Sequence, residues 1–267
     1  MANPPIFKQF SNFTTSGPGI ENILRLLQFT CLVAGSLASS PSEWKIAGAQ
    51  FSLGRRYFRY FKFIDCFNQA WNVFMVQDPA RDIVASTLEF GKWNTLGIYL
   101  MLEAVTILDA LGVRSTSWGS RILLESNKFW FYSLALSLLG TLWQIFLFAT
   151  GPPTVLKPVN VPNGQATVEE KHAAKRLQSN ENPKSSTEKG KGKGKEMVTE
   201  TKGSQSKMKV SSAGRILMRD FIVGSCDLLI PGYIVGWVPI SPITMGSAAV
   251  LSTLIVGRER WAKAQQG

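Results

Sequence analysis

Side chains capable of covalent or metal chemistry are sparse in this chain. The single histidine, His172, lies in a polar Lys-rich stretch, and Cys31, Cys66 and Cys226 are widely separated with no Cys-x-x-Cys pair. Acid–base catalysis, a zinc site or a disulfide framework would each need such groups in concert. The Gly-Lys alternation from Gly190 to Lys195 lacks a Ser or Thr after Gly-Lys and any preceding strand, so it is no phosphate-binding loop. The expectation is therefore no catalytic residue, no metal ligands, no cofactor and no enzyme.

The chemistry that the residues do offer is that of a lipid surface. Leu53, Tyr57, Tyr60, Ile64, Phe67 and Trp71 recur at four-three-four-three-four spacing, which collects them on one helix face, and Phe61 widens it. Arg55, Arg59 and Lys62 repeat that spacing on the opposite side, with Arg56 at the border. A cationic helix of this kind suits the headgroup plane, with aromatics at the acyl boundary and cations on anionic phosphates. Inserted into one leaflet, it expands that leaflet and favours curvature. The same spacing also suits packing against another helix. The density of basic and aromatic residues favours the membrane, as does Phe58 on the polar side. No RNA-binding motif accompanies them, so nucleic acid is not an expected partner.

Several elements must position this helix. Leu24, Leu27, Cys31 and Ala34 recur at helical spacing within Ile20–Ser36. Ser40-Pro41-Ser42-Glu43 offers an N-cap, a proline at the first helical position and a glutamate three residues past the cap. The helix it starts is expected to run to Asp78-Pro79, and that pair to cap another ending near Gly112. No strand and no internal repeat is evident. Phe129–Thr150 is uncharged, and roughly eighteen such residues suffice to cross a bilayer as helix. Lys128, Trp130, Tyr132 and Trp143 supply the charged and aromatic borders of a span.

The formal net charge is +11; twelve Lys or Arg against six Asp or Glu between Lys157 and Lys209 supply +6 of it. That segment cannot bury enough apolar surface to offset ordering entropy and reads as disordered. Apolar sequence returns near Gly214, and Leu228–Gly257 is uncharged but interrupted by Pro231, Pro239 and Pro242. A helix over Ile243–Gly257 is short for a full span, though adequate for a tilted or re-entrant one.

The expected fold class is thus all-α: a membrane-associated helical bundle with an amphipathic surface helix. Residues 1–19 form a flexible N-terminus and 20–128 a helical membrane-surface domain. A transmembrane helix covers 129–150, a disordered Lys/Gly/Ser-rich loop 151–211, and a C-terminal apolar block with a second span 212–267. The first nineteen residues carry no secretory signal pattern, and Gln265-Gln266-Gly267 is not a Ser-Lys-Leu address. Arg121 and Lys128 before the first span, with Arg258, Arg260 and Lys263 after the last, place both termini in the cytosol.

Gly19-Ile20-Glu21-Asn22-Ile23-Leu24-Arg25-Leu26-Leu27-Gln28-Phe29 resembles the N-terminal motif of the peroxin-11 family, although Ile20 and Asn22 stand where members carry basic residues. Leu53-Gly54-Arg55-Arg56-Tyr57-Phe58-Arg59-Tyr60-Phe61-Lys62-Phe63 is similar to that family's basic amphipathic helix. Asp227-Leu228-Leu229-Ile230-Pro231 and the apolar helix before Trp261 resemble its C-terminal end. The likeness covers about residues 14–150 and 212–263, and the Lys-rich insert departs from compact members. It implies an integral peroxisomal membrane protein, of the fungal type, that elongates the organelle before fission and so sets peroxisome size and number. It also implies self-association into a homo-oligomer, an anionic phospholipid membrane as partner, and contacts with fission machinery and a membrane-protein import receptor. A small-metabolite channel, or an adaptor for the fission machinery, is the alternative role.

Overall fold

The computed structural model describes residues 5–38, 41–75, 82–114, 116–150 and 199–265, with backbone alone for 199–213. Local signals set most helix boundaries. Ser16 accepts a hydrogen bond from the Gly19 amide at 3.2 Å and, with Pro18 in the first turn, separates α1 (Ile6–Thr15) from α2 (Gly17–Leu37). Chain entry into α3 (Pro41–Arg59) uses the proline at the first position, and Glu43 sits in the first turn. After α4 (Lys62–Met75), Asp82 caps α5 (Ile83–Val105) by accepting from the Val84 amide at 2.9 Å. A short α6 (Ile107–Ala110) ends at Gly112, whose positive φ of 71° a residue with a Cβ adopts only with strain. Then come α7 (Gly119–Thr150), α8 (Thr199–Val235) and α9 (Pro242–Ala264). Among the described residues there is no strand, and the protein is all-α.

Several boundaries differ from the expectations. The N-terminal stretch holds α1, whose Phe13 is buried against the Trp261 ring at 5.2 Å, so a contact distant in sequence orders it. The helix expected to start near Ser40 breaks at Tyr60 and Phe61, giving α3 and α4. Pro231 lies inside α8; its ring is fully buried, and packing offsets the lost backbone bond. The α8 helix ends instead at Gly236 (φ 81°), where the Trp237 amide donates to the Gly232 carbonyl at 2.9 Å. Ser241 then caps α9 at the Thr244 amide, 3.1 Å. Of the stretch 151–211 expected to be disordered, 151–198 lies outside the described residues, and Asp78-Pro79 does too. The remainder, 199–211, is described by its backbone alone, as the first turns of α8.

Packing joins the helices in a closed order: α3 on α2, α2 on α9, α9 on α8, α8 on α7, α7 on α5 and α5 on α4, which continues the chain from α3. Along α2, α3 runs antiparallel. Trp44 lies against Gly35, Gly48 against Cys31, Gly54 against Leu24 and Lys62 beside Glu21. The break at Tyr60–Phe61 therefore sits at the N-terminal end of α2. Two apolar clusters hold the bundle. One gathers Cys66, Ala70, Trp93, Tyr99 and Leu100; the other gathers Phe29, Ile230, Met245 and Ala249. Trp130 packs against both and joins them.

Two helices, α2 and α7, are long and apolar enough to cross a membrane. Only 6% of the most apolar window of α7 is buried within the protein, with Leu139, Leu142 and Phe146 outward. A core helix of a water-soluble bundle would be mostly covered. The C-terminal block, expected to supply the second span, does not meet that length and composition; α2 does. Charges explain this. Arg219, Asp220 and Asp227 interrupt α8, and Arg258, Glu259, Arg260 and Lys263 occupy the last turns of α9.

Candidate membrane-interaction surface

The α3–α4 segment presents two faces of opposite chemistry. Outward stand Tyr57, Phe61, Ile64 and Trp71, between 51% and 68% exposed, with Phe58 and Tyr60 beside them. Tyr60 and Phe61 meet edge to face at 4.8 Å across the break, and Trp71 leads through Phe74 to Phe90 of α5. The result is an exposed ridge with two aromatic groups, one at the break and one where α4 meets α5. Two members of the expected apolar face turn partly inward. Leu53 is half-buried, and the Phe67 ring fills the space beside Gly97, where an added Cβ would approach it to 2.8 Å.

The four cations expected on the opposite face point into the bundle. Arg59 donates to both oxygens of Glu103 at 2.9 and 3.0 Å, and its Nε lies 3.9 Å from Glu21. Lys62 donates to Glu21 at 2.8 Å, and Arg56 stands 3.5 Å from Glu103. Arg55 is buried and donates to the neutral amide oxygen of Gln28 at 2.6 Å. It has no carboxylate partner among the described residues, and its Nε is unsatisfied. The Tyr99 hydroxyl donates to Glu103 at 3.1 Å. Nearby, Arg25 bridges Asp227 and Ser252, joining α2, α8 and α9, and Arg260 donates to the Pro18 carbonyl at 2.8 Å.

Electrostatics within this network are uneven. Burial, followed by the charges of Arg59 and Arg25, pulls the Arg55 guanidinium down to about 9. Burial also pulls on Arg59, but Glu103, Tyr99 and Glu21 outweigh it and hold Arg59 above the ordinary arginine value. Burial and the Glu103 charge push the Tyr99 hydroxyl up to about 12, against the opposing pull of Arg59. Arg59 is thus firmly charged and firmly held, whereas Arg55 is charged at an energetic cost.

Neither Glu21, Glu103 and Gln28 as partners of the basic face, with Tyr99 bonded to Glu103, nor the separate Arg25–Asp227 pair is expected from the sequence. A signal existed for two of them. Glu103 is the lone charge between Trp93 and Leu108, and Asp227 the lone charge between Phe221 and Gly257. A single carboxylate within an apolar run must find a buried cation. On α7 a stripe of polar residues at near-helical spacing, Ser133, Ser137, Thr141 and Gln144, turns toward α5. Ser133 donates to the Lys92 carbonyl at 3.0 Å, while Ser137, Thr141 and Gln144 line a cavity of about 40 Å³ with Glu89 and Lys92. A cavity of that size holds little more than water. Among the described residues no cluster of His, Cys, Asp or Glu could hold a metal ion.

Comparison with known proteins bears on this arrangement as a whole. The family model for peroxisomal biogenesis factor 11 (PEX11) matches residues 7–261, from the first turn of α1 to the Trp261 that packs on it. No curated protein and no solved structure matches the chain. The match runs through every helix of the bundle, including both faces of α3–α4. The chain belongs to the peroxisomal biogenesis factor 11 family, a generally non-enzymatic family of the peroxisomal membrane that serves peroxisome biogenesis, division and proliferation.

Proposed function

We propose that the protein elongates the peroxisomal membrane before fission by laying the aromatic ridge of α3 and α4 in one leaflet of an anionic phospholipid bilayer, and that it thereby controls peroxisome size and number. The observation that carries this reading is the ridge itself: Tyr57, Phe61, Ile64 and Trp71 of the α3–α4 segment are each more than half exposed, while the cations of the same segment turn inward. Burying the exposed part of each in acyl chain is worth about 1 kcal/mol. In this reading α7 crosses the bilayer and anchors the bundle. Arg258, Arg260 and Lys263 favour a cytosolic place for the end of the bundle at which Arg260 meets Pro18. The break at Tyr60–Phe61, at the N-terminal end of α2, then meets the cytosolic leaflet.

The test places an environment-sensitive fluorophore at Phe61→Cys in the full-length protein, with Cys226→Ser so that no half-buried thiol competes. In phosphatidylserine-containing vesicles its emission should shift to the blue and be quenched by lipids brominated along the acyl chain. Emission unchanged from that in detergent-free buffer, with no quenching, would show that the ridge does not enter the leaflet.

A further inference from the structure

The amphipathic spacing from Leu53 to Trp71 runs without interruption across Tyr60 and Phe61, where the structure separates α3 from α4. No proline or glycine lies between Arg55 and Met75, so nothing in the local sequence requires the break. Docking imposes it. The α3 helix lies along α2, with Gly48 on Cys31 and Gly54 on Leu24, while α4 turns away to lie along α5, with Phe67 on Gly97. Freed from those two neighbours, the same residues would continue as one helix.

The docked state also leaves the cations undersupplied. Arg55, Arg56, Arg59 and Lys62 face two carboxylates, Glu21 and Glu103, since Asp227 is engaged by Arg25. Buried Nε atoms of both Arg55 and Arg59 find no hydrogen-bond partner. A surface offering a phosphate to each cation would satisfy the segment better than the bundle does.

We infer that the docked α3–α4 is a resting state, and that an anionic bilayer surface draws α3 off α2. Arg55, Arg56, Arg59 and Lys62 then exchange Glu21 and Glu103 for lipid phosphates, and α3 and α4 join in one straight amphipathic helix. Glu21 and Glu103 act as internal competitors of the membrane and set how much anionic lipid is needed. This release rests on the proposed insertion and adds its regulation.

The structure supplies its own lock. A Cβ at position 48 would lie 3.5 Å from the Cys31 Cβ, in ordinary contact and within the range a disulfide requires. Gly48→Cys should therefore form a disulfide with Cys31 on mild oxidation and fix α3 to α2. Cys66 stays out of the exchange, because burial pushes its thiol up to about 12. Full-length protein is reconstituted into vesicles of graded phosphatidylserine content and imaged for tubules. Wild type should tubulate them above a threshold content. Oxidised Gly48→Cys should lose tubulation and recover it on reduction, whereas Gly48→Cys with Cys31→Ser should ignore oxidation. Glu103→Gln should shift the threshold to a lower phosphatidylserine content. If wild type forms no tubules at any composition, the insertion reading falls and the release with it. If wild type and oxidised Gly48→Cys tubulate alike, insertion stands and the release is wrong. A Glu103→Gln threshold unchanged or raised would also overturn it.

Discussion

Arg55 and Arg59 stand one helical turn apart, yet their surroundings assign them opposite energetic roles. Arg59 neutralises Glu103 in a buried pair, so Arg59→Met leaves that carboxylate with only the Tyr99 hydroxyl and the longer Arg56 contact and should destabilise the bundle by about 2–4 kcal/mol. Arg55 has only Gln28, so Arg55→Met removes an uncompensated charge and should leave the melting temperature unchanged or raise it. Thermal unfolding in mild detergent checks both, and equal losses for the two variants would contradict the assigned partners. The periodicity showed that these cations share a face and the aromatics occupy the other. It did not show which face meets protein, because a cation on a phosphate and a cation on Glu103 obey the same spacing. The deciding residues, Glu21 and Glu103, lie 38 and 44 positions from Arg59 and entered only through the tertiary fold.

At the scale of elements, Ser40-Pro41-Ser42-Glu43 marks the start of α3, and the Ser16 and Ser241 caps that start α2 and α9 are just as local, though the apolar spacing alone starts those helices later. Features created by contact were not legible. Nothing near Tyr60 announces the break, and α1 is ordered by Trp261 at the far end of the chain. Pro231 reads as a breaker in isolation but is held in α8 by burial. The α4–α5 contact gives a direct test of such packing. A methyl group at Gly97 would meet the Phe67 ring at 2.8 Å, so Gly97→Ala should cost about 1–3 kcal/mol and loosen α4 from α5. Cys66, buried in that contact, reports it: its labelling by a maleimide should speed up in the variant. Unchanged labelling would mean that the phenyl ring shifts aside without cost.

The whole molecule combines a poorly covered apolar helix with a buried charge network, which suits a bundle seated in a membrane better than one dissolved in water. With α7 across the bilayer, the protein should remain in the pellet after alkaline carbonate extraction of peroxisomes. Full release would reduce the association to a peripheral one. The fold class, the apolar stretch of α7 and the family likeness were all readable from the chain, since each depends on long, regular sequence. On the proposed function the aromatic ridge of α3–α4 deforms the bilayer, and imaging of reconstituted vesicles reads that deformation out. Full-length Tyr57→Ser, Phe61→Ser, Ile64→Ser protein, still anchored through α7, should integrate as wild type does but leave anionic vesicles spherical where wild type draws tubules. Tubules as frequent with the triple variant as with wild type would contradict the claim.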